Sequence, residues 1–129
     1  MKTIRLNGKE LSQITMGTVQ LGMNYGIANN LGQPDAKHSF DMLSCALKNG
    51  ITSIDTARTY GNSEDVLGAF FKENKMEEMP FITSKLNIGL PQGTPEREAE
   101  AAMYKSVETS LSKLGIKKLD CFLMLILCT

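Results

Sequence analysis

The stretch ITSIDTARTYGNSEDVLGAFF, from Ile51 to Phe71, reads as one β-α unit. ITSIDTA is a short apolar run of strand type. Ser63 can cap a following helix, and Glu64 and Asp65 fall where a helix's positive end favours acids. Val66, Leu67, Phe70 and Phe71 then recur on one helical side, so they are expected to be its buried face. A carboxylate, Asp55, closes the strand, and a phenol, Tyr60, sits in the loop after it.

The same unit repeats on either side. Upstream, ITMGTVQLG (Ile14 to Gly22) reads as a short strand ending in glycines. The Asn- and Gly-rich segment from Asn24 to Gln33 reads as a loop. Pro34 suits the first turn of a helix whose face is Ala36, Phe40, Leu43 and Leu47, with Gly50 as its stop. Downstream, PFITSKL is a third strand. Thr94-Pro95-Glu96 opens a third helix with the stripe Met103, Val107, Leu111 and Leu114, ended by Gly115. LDCFLMLIL is a fourth strand, apolar on both faces as buried parallel strands are. Before all of these, TIRLNGKELSQIT places two alternating runs around Asn7-Gly8, the strongest short hairpin signal.

The order is therefore a hairpin followed by β-α-β-α-β-α-β, one domain over residues 1–129. Alternating strands and helices imply parallel strands joined by crossovers. A complete (β/α)₈ barrel takes about 250 residues. The expected architecture is the N-terminal half of such a barrel, with about four parallel strands and three helices.

Composition removes several function classes. The chain has 129 residues and is 42% hydrophobic, with 14 Lys and Arg balancing 14 Asp and Glu. It is expected to be globular, and zero net charge gives no reason to expect a nucleic-acid partner. Cys45, Cys121 and Cys128 are an odd set without C-x-x-C spacing. That argues against a zinc site or a disulfide framework and fits a reducing, cytoplasmic setting. No metal site is expected. MKTIRLNGKEL lacks the apolar core of a signal peptide. CFLMLILC falls far short of the ~20 residues that span a bilayer, so no membrane partner is expected.

In parallel α/β folds, reactive groups gather at the C-terminal ends of strands. Asp55 ends the second strand, Tyr60 follows it, and Lys85 ends the third. A free phenol loses its proton only near pH 10, too high for an efficient donor at neutrality. A neighbouring ammonium favours the phenolate, and a carboxylate beside it keeps that ammonium charged and oriented. Such a trio can protonate a carbonyl oxygen as hydride reaches its carbon. By spacing alone, the same residues read more readily as a solvated strand end and an ordinary Tyr-Gly turn.

MGTVQLGMNYGIANNLGQP, GITSIDTARTYGNSEDVLG, PFITSKL and SVETSLSKLGIKKLDCFLML, in this order, resemble the N-terminal half of an aldo-keto reductase of bacterial type. The resemblance covers nearly all 129 residues. It implies a barrel closed at its base by the hairpin. It implies Tyr60 as general acid, Lys85 as the cation that eases its proton loss, and Asp55 as the partner of Lys85. Gly17, Thr18 and Asp55 correspond to positions near the nicotinamide end of NADP(H), and the substrate would be a small aldehyde or ketone. Two departures stand out. Leu125, followed by Ile126, occupies the place of the family's fourth catalytic residue, a histidine, in the pattern L-D-x-x-L-x-H. The last strands and loops, which grip the rest of NADP(H) in the family, have no counterpart here. The sole histidine, His38, reads as a surface or capping residue.

The chain therefore reads as a truncated reductase half, inactive alone, its tail LILCT altered by truncation or frameshift. The alternative is a non-catalytic half-barrel that acts by self-association or by pairing with another half. The methionines, including Met23, Met42, Met76, Met79, Met103 and Met124, read as core fillers or loop residues. Cys45 reads as packed in the first helix, and KENKMEE as a solvated helix end.

Overall fold

The computed structural model describes residues 1–86 and 89–124. Its elements are β1 (Thr3–Leu6), β2 (Lys9–Ser12), β3 (Met16–Gly17), α1 (Val19–Gly22), α2 (Ala36–Lys48), β4 (Ser53–Asp55), α3 (Ser63–Asn74), β5 (Phe81–Leu86), α4 (Glu96–Leu114) and β6 (Cys121–Met124). β1 and β2 pair antiparallel, with Thr3 opposite Ser12 and Leu6 opposite Lys9. Asn7 and Gly8 between them have φ of 50° and 80°, the left-handed pair that a tight hairpin turn requires. The other four strands form a parallel sheet in the order β3-β4-β5-β6. This is the expected half-barrel arrangement.

Helices α2, α3 and α4 lie against the sheet. Leu43 on α2, Leu67, Phe70 and Phe71 on α3, and Leu114 on α4 meet Ile54 of β4 and Ile82 of β5 in one core. Phe40 meets Phe70 edge to face, with ring centroids 5.3 Å apart. Each fully buried side chain of this size contributes ~1.5–3 kcal/mol, so the helical stripes fix which face turns inward.

The hairpin lies across the N-terminal ends of the strands. Lys9 donates to the Asp120 carboxylate at 2.7 Å and to the Pro80 carbonyl at 3.2 Å, just before β6 and β5. Asp120 also accepts from the Ile82 backbone N–H at 2.9 Å. The Ser12 N–H donates to Thr52 Oγ1 just before β4. One end of the sheet is thus sealed, and the opposite end carries Gly17, Asp55 and Lys85.

Several local expectations need correction. Among the described residues there are four helices rather than three. β3 stops at Gly17, level with the end of β4 at Asp55, so the chain has no strand left to pair with beyond it. It curls into α1 instead, with Leu21 N–H bonded to Thr18 O and Met23 N–H to Val19 O. Leu21 enters the core. Pro34 lies outside the first turn of α2: Asp35 caps the helix, its carboxylate accepting from His38 N–H at 2.8 Å. That backbone hydrogen bond holds the Asp35 carboxyl below the usual carboxylate range. His38 is exposed, its ring also on Asp35, in keeping with a surface capping residue.

Asn62 occupies the α3 cap position, and the Ser63 hydroxyl turns inward to Thr18. Thr94 Oγ1 bonds Pro91 O rather than capping α4. Cys45 is exposed, because the buried stripe of α2 runs through Ser39 and Leu43. For the same reason Ala36 and Met42 face outward; Met103 on α4, whose buried residues are Ser110 and Leu114, and Met23 after α1 are exposed as well. β6 is not covered on both faces: Leu123 is 46% and Met124 58% exposed, since β6 ends the sheet order among the described residues. Leu125, Ile126 and Cys128 lie outside the described residues.

Candidate active site

β4 and β5 run side by side with Asp55 opposite Thr83, so Lys85 reaches past the end of β4. Asp55 and Lys85 both stand at the open end of the sheet. The chain then leaves β4 through Thr56, whose N–H bonds Thr83 O, and turns back at Tyr60, whose N–H bonds Ala57 O. That turn swings the phenol over Lys85.

The Lys85 ammonium donates to Asp55 Oδ1 and Oδ2, each at 2.6 Å, to the Thr56 carbonyl at 3.1 Å and to Tyr60 Oη at 3.2 Å. It also lies 4.9 Å from the Tyr60 ring centroid. An ammonium has three N–H groups, and a carboxylate, a carbonyl and a phenol take all three. The phenol oxygen accepts from Lys85, so its own O–H is left for another acceptor. The Lys85 side chain is 14% exposed and the Asp55 side chain 31%, which places the pair in a half-buried, partly desolvated setting. Asp55, Tyr60 and Lys85 are therefore brought together as their positions in the sequence imply.

The two residues at the end of β3 stand differently. Gly17 is exposed, and a Cβ built on it would meet nothing within 4 Å, so the backbone faces open space. Thr18 is fully buried. Its N–H and hydroxyl both donate to Asp55 O, at 3.1 and 3.0 Å, and its hydroxyl accepts from Ser63 Oγ at 2.8 Å. Thr18 thereby holds the backbone at Asp55 to the start of α3.

Close backbone packing seats the Tyr60 loop. A Cβ on Gly22 would lie 2.7 Å from Ser63 Cβ and closer still to Tyr60 O. Gly61 faces it with φ of 55°, and the next amide, Asn62 N–H, donates to Gly22 O at 3.1 Å. Beneath the loop, Arg58 Nη1 donates to Glu64 Oε2 at 2.6 Å and Ser84 Oγ to Glu64 Oε1 at 2.9 Å. Glu64 is 2% exposed. The sequence reading treats Glu64 only as a favourable charge at a helix start and passes over Arg58 and Ser84. The available signal is opposite charges flanking Tyr60 in R-T-Y-G-N-S-E, with a serine beside Lys85.

Among the described residues no group of three or more His, Cys, Asp and Glu side chains could hold a metal ion. No helix among them is long and apolar enough to cross a membrane.

The model of the aldo/keto reductase family matches residues 13–125. The aldo-keto reductase YhdN of Bacillus subtilis is 31% identical over 118 residues, covering 89% of this chain and 34% of that protein. The aldehyde reductase YPR1 of Saccharomyces cerevisiae is 37% identical over 87 residues, covering 67% and 25%. The solved aldo-keto reductase of Klebsiella pneumoniae in complex with NADPH superposes with a TM-score of 0.67 at 25% identity, over 95% of this chain and 38% of that one. The aldo/keto reductase of Brucella melitensis gives 0.63 at 29% identity, over 95% and 41%. The chain thus spans about a third or less of the length of these two curated relatives and under half of these structures. Over that span, its sequence and its fold place it in the aldo/keto reductase family.

Proposed function

We propose that this chain carries the proton-donating part of an NAD(P)H-dependent reductase of aldehydes or ketones. The observation that carries the reading is the Lys85 ammonium held between the Asp55 carboxylate and the Tyr60 phenol. Lys85 donates to the phenol oxygen, which leaves the phenol proton directed at a carbonyl oxygen in the mouth. As charge develops on that oxygen, Tyr60 gives up its proton and Lys85 stabilises the phenolate left behind. Asp55 keeps Lys85 charged and aimed.

The exposed Gly17 backbone, level with Asp55 on the neighbouring strand and with nothing within 4 Å of where a Cβ would stand, offers room for a flat ring. There Gly17 and Asp55 would hold the nicotinamide end of NADP(H). Thr18, fully buried with its N–H and hydroxyl both bonded to Asp55 O, would act by fixing that backbone. A bound reduced nicotinamide supplies hydride to the carbonyl carbon. The solved Klebsiella pneumoniae relative is in complex with NADPH, which supports that cofactor class. The adenosine and phosphate end of the cofactor is expected to need barrel strands beyond these residues.

The test uses two proteins. The 129-residue chain with NADPH and a simple aldehyde is expected to show no steady reduction. A barrel completed by joining residues 1–124 to the C-terminal part of the Bacillus subtilis relative is expected to reduce the aldehyde. Robust turnover by the chain alone overturns the need for further strands. A folded, NADPH-binding, inactive barrel overturns the reductase reading.

A second reading, association through the sheet, is favoured by one observation. Among the described residues, β6 pairs with β5 on one side only and exposes Leu123 and Met124. Unpaired apolar edges invite a partner strand. Light scattering on the purified chain at tens of micromolar is expected to show dimers or larger species, and a clean monomer contradicts this reading.

A further inference from the structure

We propose that Glu64 is a positioning residue that sets the contact between Lys85 and Tyr60. The inference rests on the reading of Asp55, Tyr60 and Lys85 as the reacting site, and it concerns a residue outside that trio. Glu64 lies in the first turn of α3, buried to 2% exposure, and its carboxylate is bonded to Arg58 and Ser84 rather than to any of the three. Each of its carboxylate oxygens has a different task. Oε1 accepts from Ser84 Oγ at 2.9 Å, on the strand residue that precedes Lys85. Oε2 accepts from Arg58 Nη1 at 2.6 Å, in the loop two residues before Tyr60. One carboxylate therefore ties the strand that carries the ammonium to the loop that carries the phenol.

The geometry gives that tie leverage. The loop from Thr56 to Asn62 is pinned at its start by Thr56 N–H on Thr83 O and at its end by Asn62 N–H on Gly22 O. Between these points the Arg58 side chain, 24% exposed, is the loop's charged anchor to the protein beneath. The phenol contact depends on this middle segment, because Tyr60 Oη meets Lys85 Nζ at 3.2 Å, near the outer limit of a hydrogen bond. Small movements of the loop break such a contact, whereas the Lys85–Asp55 pair at 2.6 Å spans two hydrogen-bonded strands and is insulated from them. Without the Glu64 carboxylate, Arg58 has no ionic partner inside, its guanidinium turns to water, and the phenol drifts from the ammonium while Asp55 and Lys85 stay joined.

The experiment reads that contact directly by NMR of the whole chain, labelled in tyrosine and phenylalanine rings and in lysine side chains. The unaltered chain should show a nuclear Overhauser effect between the Tyr60 ring protons and the Lys85 methylene beside the nitrogen. Glu64→Gln should lose it while the Phe40–Phe70 ring effects, from the core, persist. Arg58→Lys, which keeps a cation on Glu64, should retain it. If Glu64→Gln also loses the Phe40–Phe70 signals, the fold is affected, and the double variant Arg58→Gln/Glu64→Gln, which buries no unpaired charge, takes its place with the same expected loss. Survival of the Tyr60–Lys85 effect in whichever of these variants folds overturns the role of Glu64 alone. Its absence from the unaltered chain instead contradicts the site on which the inference rests, so the two failures are distinct.

Discussion

Gly22→Ala is expected to prevent this chain from reaching its fold. The added methyl would lie 2.5 Å from the Ser63 amide nitrogen, 2.7 Å from Ser63 Cβ and closer still to the Tyr60 carbonyl oxygen. Two of the three obstacles are backbone, so no rotamer change makes room. The Tyr60 turn cannot retreat easily either, since Gly61 backs onto Gly22 and Asn62 N–H is bonded to Gly22 O. The Ser63 hydroxyl is fixed to Thr18. Relief requires α1 and the β4–α3 loop to separate, which opens Leu21 and the buried Thr18–Ser63 pair to water. Overpacking and broken buried hydrogen bonds act together here, and a cost above ~4 kcal/mol is expected, a large part of the ~5–15 kcal/mol that holds a typical domain. Chemical denaturation followed by circular dichroism measures it. A midpoint close to that of the unaltered chain contradicts the close approach described here. Gly17→Ala is the fitting control: like Gly22, Gly17 lacks a left-handed φ, but a Cβ there meets nothing within 4 Å.

Tyr60→Phe in the completed barrel should lower kcat/KM for aldehyde reduction by ~10²–10⁴, the usual worth of a positioned proton donor. That corresponds to ~3–5 kcal/mol of transition-state stabilisation. The ring remains, so packing and cofactor affinity should change little, and the loss should fall on kcat. Lys85→Met should cause a loss of the same order for a different reason. It removes the cation that stabilises the departing phenolate, and it leaves Asp55 without its partner. Because the two act as a unit, the double variant should be scarcely worse than either single one. Single-turnover measurement with NADPH in excess reads the chemical step. Tyr60→Phe retaining full rate contradicts the proposed role of the phenol, and losses that multiply in the double variant contradict the coupled pair.

Much of this organisation is legible in the sequence because it depends on local chemistry. Asn7-Gly8 dictates a tight turn whatever surrounds it, and the spacing of Leu43, Leu67 and Phe70 dictates which helical faces turn inward. The parallel sheet follows from the alternation of strands and helices. The meeting of Asp55, Tyr60 and Lys85 follows from their places at strand ends, reinforced by a resemblance that the family match over residues 13–125 supports. What escapes a sequence reading is set by contacts distant in the chain. β3 ends at Gly17 because its neighbour ends at Asp55, 38 residues away in numbering, so the apolar run through Val19 and Leu21 becomes a helical turn. Ser63 has the composition of a cap but is drawn inward by Thr18, 45 residues earlier. Cys45 has the composition of a core residue, yet the stripe of α2 passes through Ser39 instead. Glu64 illustrates the general difficulty: a carboxylate in a first helical turn is an ordinary surface feature until Arg58 and Ser84 are known to converge on it.

The bond from Lys9 to Asp120 joins residues 111 apart. On a ribosome that separation becomes a delay. The hairpin is made first and its turn needs only local residues, but its docking partner is among the last of the described residues to be synthesised. At ~5–20 residues per second, the Lys9 ammonium waits roughly 6–22 s for Asp120. Over that interval the hairpin has only its contacts at Thr52 and Pro80, and its ion pair stays open. Closing that pair is the late event, and it reports that β6 has arrived in register.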